Sequence, residues 1–161
     1  MNQQFRIGYG YDVHSFSRDR ILVLGGIVIP SEMGLEGHSD ADVLLHAICD
    51  AMLGALALGD IGKHYPDSSE HFKDIDSKIL LQHTNELVKQ KGYELNNLDA
   101  TVVMQKPKIA PYINLMQKEI ADVLGVELNQ ISIKATTSER LGFIGRTEGA
   151  AAYAVVMLNR K

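Results

Sequence analysis

Apolar residues in this chain recur with two periods, and the two alternate along its length with glycines at the changeovers. A period of two marks a half-buried strand and a period near 3.6 marks a helix face. Residues 5–11 alternate apolar with polar or small side chains, which predicts a strand. Residues 21–24 and 27–29 flank Gly25-Gly26 and predict an early hairpin, ended by Pro30. Val43, Leu44, Ala47, Ile48, Ala51 and Ala55 share one helical face, so the spacing predicts a helix over 40–58. Ser39 or Asp40 is expected as its N-cap and Gly59 as its stop. Residues 59–75 read as loop. A second helix is expected at 76–91, a strand at 98–105, a third helix at 111–124 opened by Pro111, and a strand at 131–137. A glycine-punctuated loop at 142–149 leads into a last strand at 150–158. This order predicts an α+β fold: a single mixed or antiparallel sheet with helices packed on one face. The other face then needs a cover, which a partner subunit can provide.

The longest apolar run is Ala150 to Leu158, well short of the ~18–20 residues of a membrane span. A length of 161 residues suits one domain over 1–161. The single cysteine, Cys49, excludes an internal disulfide and cysteine-rich zinc folds, and it reads as a small buried apolar residue rather than a nucleophile. With no basic and apolar leader at the start, a cytoplasmic location is expected. The net charge of -4 argues against nucleic acid as a partner. A phosphorylated ligand would need local cations, and bound metal ions could supply them.

Several short constellations can carry chemistry. Asp12 and His14 are two residues apart on an extended strand and so point the same way. With His46 from the first helix they make a set of two imidazoles and a carboxylate, which suits catalytic zinc. An ordinary Asp–His hydrogen bond explains the pair equally simply. His38-Ser39-Asp40-Ala41-Asp42 precedes a helix, where backbone N–H groups attract phosphate; a plain helix cap competes. Asp60 between Gly59 and Gly62 can accept from two sugar hydroxyls, as an acidic residue does in dinucleotide sites, or can be a solvated carboxylate. Asp50, one turn after His46, is expected to hold ribose or to orient that imidazole. Lys134-Ala135-Thr136-Thr137-Ser138-Glu139-Arg140 runs off a strand and offers a phosphate cradle, with Glu139 a hard ligand for Mg²⁺ or Mn²⁺; a polar β-loop with an ordinary surface ion pair explains it equally well. Met104 to Ala110, with Lys106, Pro107 and Lys108, reads as a stiff turn presenting backbone groups and two cations, and plain turn chemistry explains it equally well.

Taken together, Gly10-Tyr11-Asp12-Val13-His14, His38 to Val43, Ala57 to Lys63, Pro66-Asp67 and Lys134 to Gly149 resemble the 2-C-methyl-D-erythritol 2,4-cyclodiphosphate synthase family over nearly the whole chain. The resemblance implies a homotrimer with active sites between neighbouring subunits and an apolar channel on the three-fold axis. It implies a Zn²⁺ site on Asp12, His14 and His46, and a second divalent ion, Mg²⁺ or Mn²⁺, reached by Glu139. His38 and Thr137 become the transition-state stabilisers. Val13 lies within the first substrate-contacting motif and Ser39 contacts the methylerythritol phosphate. Asp60, Ile61 and Gly62 hold the sugar region, and Tyr65, Pro66, Asp67, Ser68 and Ser69 form the neighbouring loop. Met104, Gln105, Lys106, Pro107, Lys108, Ile109 and Ala110, with Ala135, Thr136 and Thr137, form a cytidine pocket from the adjacent subunit. Ser138, Phe143 and Arg146 complete the site. The chain departs from the family at Tyr11, often Phe, and at Tyr153, where some members carry an acidic residue.

The implied reaction is a metal-dependent phosphorus–oxygen lyase step. The 2-phosphate of 4-diphosphocytidyl-2-C-methyl-D-erythritol 2-phosphate attacks its own β-phosphorus, closes a cyclodiphosphate and releases CMP. Such a phosphate is largely dianionic at neutral pH, so no general base is needed, which agrees with a chain that has no nucleophile–base triad. A zinc-dependent phosphoesterase and a non-catalytic nucleotide-binding trimer are alternatives that the residues alone leave open.

Overall fold

A computed structural model describes residues 4–66 and 73–161 of the chain. Strand β1 spans Phe5–Ser17, followed by the two-residue strands β2 (Val23–Leu24), β3 (Ile27–Val28) and β4 (Gly34–Leu35). Helices α1 (Val43–Ala55), α2 (Ile61–His64) and α3 (Ser77–Gln90) come next. Strand β5 (Tyr93–Val103), helix α4 (Ile113–Leu124), strand β6 (Ile131–Thr136), helix α5 (Gly142–Gly145) and strand β7 (Gly149–Arg160) complete the order. The main sheet runs β4-β1-β7-β5-β6. Only β5–β6 is parallel among its pairs; the rest are antiparallel, so the sheet is mixed. β2 and β3 pair with each other outside it.

The two faces of the sheet differ sharply. On β1, Arg6, Gly8, Gly10, Asp12 and His14 point toward α1, while Phe5, Ile7, Tyr9, Tyr11 and Val13 point away and are exposed. α1 lies directly on β1 because neither Gly8 nor Gly10 has a side chain: a Cβ would sit 1.8 Å from the Ala51 carbonyl oxygen at Gly8 and 1.9 Å from that of Ala47 at Gly10. The facing residues are equally small, with Ala47 and Ala51 on the helix and Ala150, Ala152 and Ala154 on β7, all buried. The Arg6 guanidinium donates to the Ala55 carbonyl at 2.9 Å, at the C-terminal end of the helix where a cation offsets the macrodipole. Around this contact Leu44, Leu45, Ile48, Met52, Leu81, Leu98 and Met116 fill the core. Cys49 lies in it with no exposure, and burial pushes its thiol up to about 12, which agrees with an inert packing role.

The start of α1 differs from expectation. Its N-cap is Asp42, not Ser39 or Asp40, and the helix ends at Ala55 rather than near Gly59. The buried Asp42 carboxylate accepts from Leu45 N–H at 3.0 Å, from Gly25 N–H at 3.0 Å and from Gly26 N–H at 2.7 Å. One side chain therefore caps the helix and ties down the β2–β3 turn, whose two glycines both take positive φ. Ser39 and Asp40 are engaged elsewhere. The strands also extend beyond the predicted limits, β1 to Ser17 and β5 back to Tyr93.

Gly10→Ala places a methyl group where the Ala47 carbonyl stands. It is expected to cost on the order of 3 kcal/mol, seen as a melting temperature lowered by more than about 5 °C. An unchanged melting curve would show that α1 is free to shift.

Candidate active site

The contact between β1 and α1 places three ligand atoms at one point. Asp12 Oδ2 lies 2.9 Å from His14 Nε2 and 3.0 Å from His46 Nδ1, and the two imidazole nitrogens are 3.2 Å apart. These three residues are the one group of at least three His, Cys, Asp or Glu side chains, among those described, with ligand atoms close enough to share an ion. The spacings approach the edge of a tetrahedron built on metal–ligand bonds of about 2.0–2.1 Å, roughly 3.3 Å.

The far side of each ring supports the same reading. His14 Nδ1 lies 2.7 Å from the Glu36 carbonyl, which can only accept, so that nitrogen carries the proton and Nε2 presents its lone pair. The carbonyl is held in place because Glu36 N–H donates to the Ser15 carbonyl at 2.8 Å, next to the β1–β4 pairing. His46 Nε2 meets Ser77 Oγ at 2.9 Å and Ser39 Oγ at 3.2 Å. With both rings turned this way, a proton or a metal ion held between the three atoms relieves the repulsion of their lone pairs. Burial by itself would raise the Asp12 carboxyl, but hydrogen bonds and charge from His14 and His46 overcome it and hold it down at about 2. Burial would lower His14, and the hydrogen bond and charge of Asp12 reverse that, so His14 sits above the ordinary imidazole value. The donor set and its geometry fit a divalent ion.

A cavity of about 370 Å³ opens over these residues, and His38, Ser39, Ile61, Gly62 and Tyr65 also line it. Of the sequence-predicted phosphate and sugar residues, His38, Ser39, Ile61 and Gly62 gather around the carboxylate and imidazoles, whereas Asp60 and the 134–140 segment are not among the lining residues. Asp60 serves first as the N-cap of α2, with Oδ1 accepting from Lys63 N–H at 2.9 Å. Asp50 does not orient His46; its Oδ1 accepts from Ile61 N–H at 2.7 Å and fixes α2 to α1. Tyr65 anchors its end of the loop by its hydroxyl, 3.3 Å from Thr84 Oγ1. Val13 has its side chain on the opposite, exposed face of β1. Pro66 is exposed where the described segment ends, and Asp67, Ser68 and Ser69 lie outside the described residues.

Of the other predicted residues, Met104 to Ala110, Ala135, Thr136 and Thr137 line a second cavity of about 790 Å³, whereas Ser138, Glu139, Phe143 and Arg146 are not among its lining residues. Phe16, Met33 and Thr147, which nothing in the sequence singled out, also line it. Thr137 Oγ1 donates to Glu139 Oε1 at 3.2 Å and accepts from Glu139 N–H at the same distance. Ser138 Oγ donates to the Leu141 carbonyl at 2.7 Å. Phe143 is exposed on α5, and Arg146 pairs with Glu148 through Nε at 2.7 Å and Nη2 at 3.0 Å. His38 and Thr137 thus line different cavities of one chain. Ser77, which meets the back of His46 and is itself held by Asp40, carried no sequence signal beyond a helix start.

The profile of the YgbB family matches residues 5–159. A protein of Prosthecochloris aestuarii named 2-C-methyl-D-erythritol 2,4-cyclodiphosphate synthase is 58% identical over 156 residues, covering 97% of this chain and 99% of that one. Among solved structures, the bifunctional IspDF of Campylobacter jejuni superposes with a TM-score of 0.95 at 45% identity over 98% of this chain, which spans 43% of that protein's length. The CDP complex of IspF from Plasmodium falciparum gives a TM-score of 0.88 at 35% identity, covering 100% of this chain and 99% of that one.

The titration of the site has a defined sign. In metal-free protein Asp12, lowered from 3.8 to about 2, adds stability above its unfolded value and loses it as pH falls toward 2. His14, raised from 6.5, adds stability below that value and loses it as pH rises through its folded pKa. The joint contribution is therefore fullest between about pH 4 and 6.5. Asp12→Asn is expected to lower the His14 midpoint in an NMR titration of metal-free protein; an unmoved midpoint would remove the carboxylate as its cause.

Proposed function

The chain belongs to the YgbB family, and on that premise we propose that its metal centre and its second cavity act together in a cyclising phosphoryl transfer. The reaction is conversion of 4-diphosphocytidyl-2-C-methyl-D-erythritol 2-phosphate to 2-C-methyl-D-erythritol 2,4-cyclodiphosphate with release of CMP, a step of isoprenoid precursor synthesis. The observation that carries this reading is the convergence of Asp12, His14 and His46 beneath a cavity whose rim holds His38, Ser39 and Gly62.

The barrier to such a reaction is charge repulsion, because an anionic phosphate must approach an anionic diphosphate. Zn²⁺ on Asp12, His14 and His46, with Mg²⁺ or Mn²⁺ at Glu139, would supply the Lewis acidity that draws charge from phosphate oxygens. The protein's own groups do the positioning. Ser39 and the backbone at 60–62 hold the methylerythritol arm folded back, which adds a proximity contribution of several kcal/mol, up to roughly 7–11 at ideal alignment. His38 and Thr137 donate hydrogen bonds to oxygens whose charge changes in the transition state. The apolar cavity beside Met104, Pro107 and Ile109 takes the cytosine, and Lys106 and Lys108 stand at its turn.

Because His38 and Thr137 line different cavities of one copy, in this reading they serve one substrate across two facing copies of the chain. The sheet supports that assembly. Its uncovered face carries Ile7, Tyr9, Tyr11 and Val13 on β1 and Tyr153 and Val155 on β7, all exposed in the single chain, a contiguous apolar surface of the kind that marks an interface. The Tyr11 and Tyr153 rings already meet across the two strands, their centroids 5.1 Å apart and their planes tilted by 47°. A homotrimer with its sheets turned inward would cover this face, as part of the same proposal, with residues 1–161 acting as one synthase domain. No helix among the described residues is long and apolar enough to cross a membrane, and a cytoplasmic site of action completes the reading.

Incubation with the diphosphocytidyl substrate, followed by phosphorus NMR, is expected to yield CMP and a cyclic diphosphate. Linear phosphate products would replace this reading with a phosphoesterase, and binding without turnover would replace it with a nucleotide-binding module. Thr137→Val is expected to lower kcat more than it raises KM; a change confined to KM would make Thr137 a binding group. Val155→Glu is expected to convert a trimer into monomers in sedimentation and to abolish turnover while Zn²⁺ still binds. A fully active monomer would refute the composite site.

A further inference from the structure

We propose that Asp40 and Ser77 are positioning residues that set the tautomer of His46, so that its Nδ1 lone pair faces Asp12 and His14. The inference rests on the metal reading above and names the groups behind the ligand.

The argument follows the protons. Asp40 is an acceptor with no hydrogen to give. Its Oδ2 accepts from Ser77 N–H at 3.0 Å, and its Oδ1 accepts from Asp42 N–H at 3.2 Å and from the Ser77 hydroxyl. A hydroxyl has one proton, and that of Ser77 is committed to Asp40. Toward His46 Nε2, 2.9 Å away, Ser77 Oγ can therefore only accept. Ser39 Oγ, 3.2 Å from the same nitrogen, already accepts from Ala41 N–H at 3.1 Å and has a second lone pair for Nε2–H. In the opposite tautomer the Nε2 lone pair would face the Ser77 oxygen at 2.9 Å, with the longer Ser39 contact at 3.2 Å as its only donor, where Ser77 is at 0% exposure and His46 at 8%. Setting two acceptors against each other in such a place is costly. The proton consequently sits on Nε2, and Nδ1 is free to act as a ligand.

This arrangement joins distant segments. Asp40 lies ahead of α1, where its N–H donates to the Ile75 carbonyl at 3.1 Å, and Ser77 opens α3. Ring orientation is thus set by packing between two helix starts rather than by α1 alone. Partners of this kind behind a ligating imidazole typically change metal affinity by 10–100-fold.

The test uses full-length protein and Zn²⁺, with affinity read by competition with a chelator. Ser77→Ala removes the acceptor. Asp40→Asn keeps the shape but offers an amide N–H₂, which can turn the Ser77 hydroxyl around. Both are expected to weaken Zn²⁺ binding by 10–100-fold. In ¹⁵N-labelled protein the His46 Nε2–H resonance is expected to be protected from exchange in the wild type and exchange-broadened in both variants. Melting curves of the metal-free proteins identify any variant that is not folded, and the other variant then decides. Folded variants that hold Zn²⁺ within two-fold of the wild type and keep the resonance would overturn the proposal. A wild-type protein that takes up no Zn²⁺ would instead overturn the metal reading; the Nε2–H signal in metal-free protein would then test the Asp40–Ser77 relay by itself.

Discussion

Contact between β1 and α1 at van der Waals distance is the constraint on which the rest depends. A helix packed on a strand is usually held off it by intervening side chains; here Gly8 and Gly10 let the helix backbone rest on the strand backbone. The same strand face then carries, in order, a guanidinium for the helix end, two glycines for the approach, and a carboxylate and imidazole for the site. His46 is adjacent in sequence to Ala47, whose carbonyl touches Gly10. The small residues that pack the fold are therefore the ones that bring the third ligand within reach of the other two.

That closeness produces a charge problem, and the surroundings resolve it in one direction. Lone pairs from two imidazoles converge on one carboxylate oxygen within 3.2 Å. The groups behind the rings, a backbone carbonyl at His14 and a serine at His46, both take ring protons outward. A proton in the metal-free protein, or a divalent ion, must fill the centre. The raised His14 and the depressed Asp12 are the electrostatic signature of that need.

The second organising feature is an asymmetry between the sheet faces. One face is closed by α1, α3 and α4 and made of alanine, leucine and valine; the other presents aromatic and branched side chains to solvent. Their energetic logic differs: the closed face gives the chain its own core, while the open one gains burial only by association. The two cavities carry different groups, imidazoles and a carboxylate in one and a mainly apolar turn in the other, and the proposed assembly is what would bring them to one substrate.

The sequence by itself determined the alternation of strands and helices, because side-chain period and glycine punctuation are local properties. It also presented Asp12 and His14 as a pair, since i and i+2 on a strand share a face whatever surrounds them. It offered His46 as a third ligand from the first helix, and the family resemblance supplied the roles expected of His38 and Thr137. Local pattern was silent where irregularity breaks it. β5 begins at Tyr93, but a register shift between Leu95 and Asn97 interrupts its alternation, and α2 and α5 are too short for a period to show. Only the tertiary structure decided which carboxylate does what. Asp40, Asp42, Asp50 and Asp60 are indistinguishable as residues. Packing made them, in turn, the partner of Ser77, the cap of α1, the anchor of α2 and the cap of α2. A carboxylate accepts from whatever N–H or O–H the fold brings near it, and that neighbour comes from a segment far away in the chain.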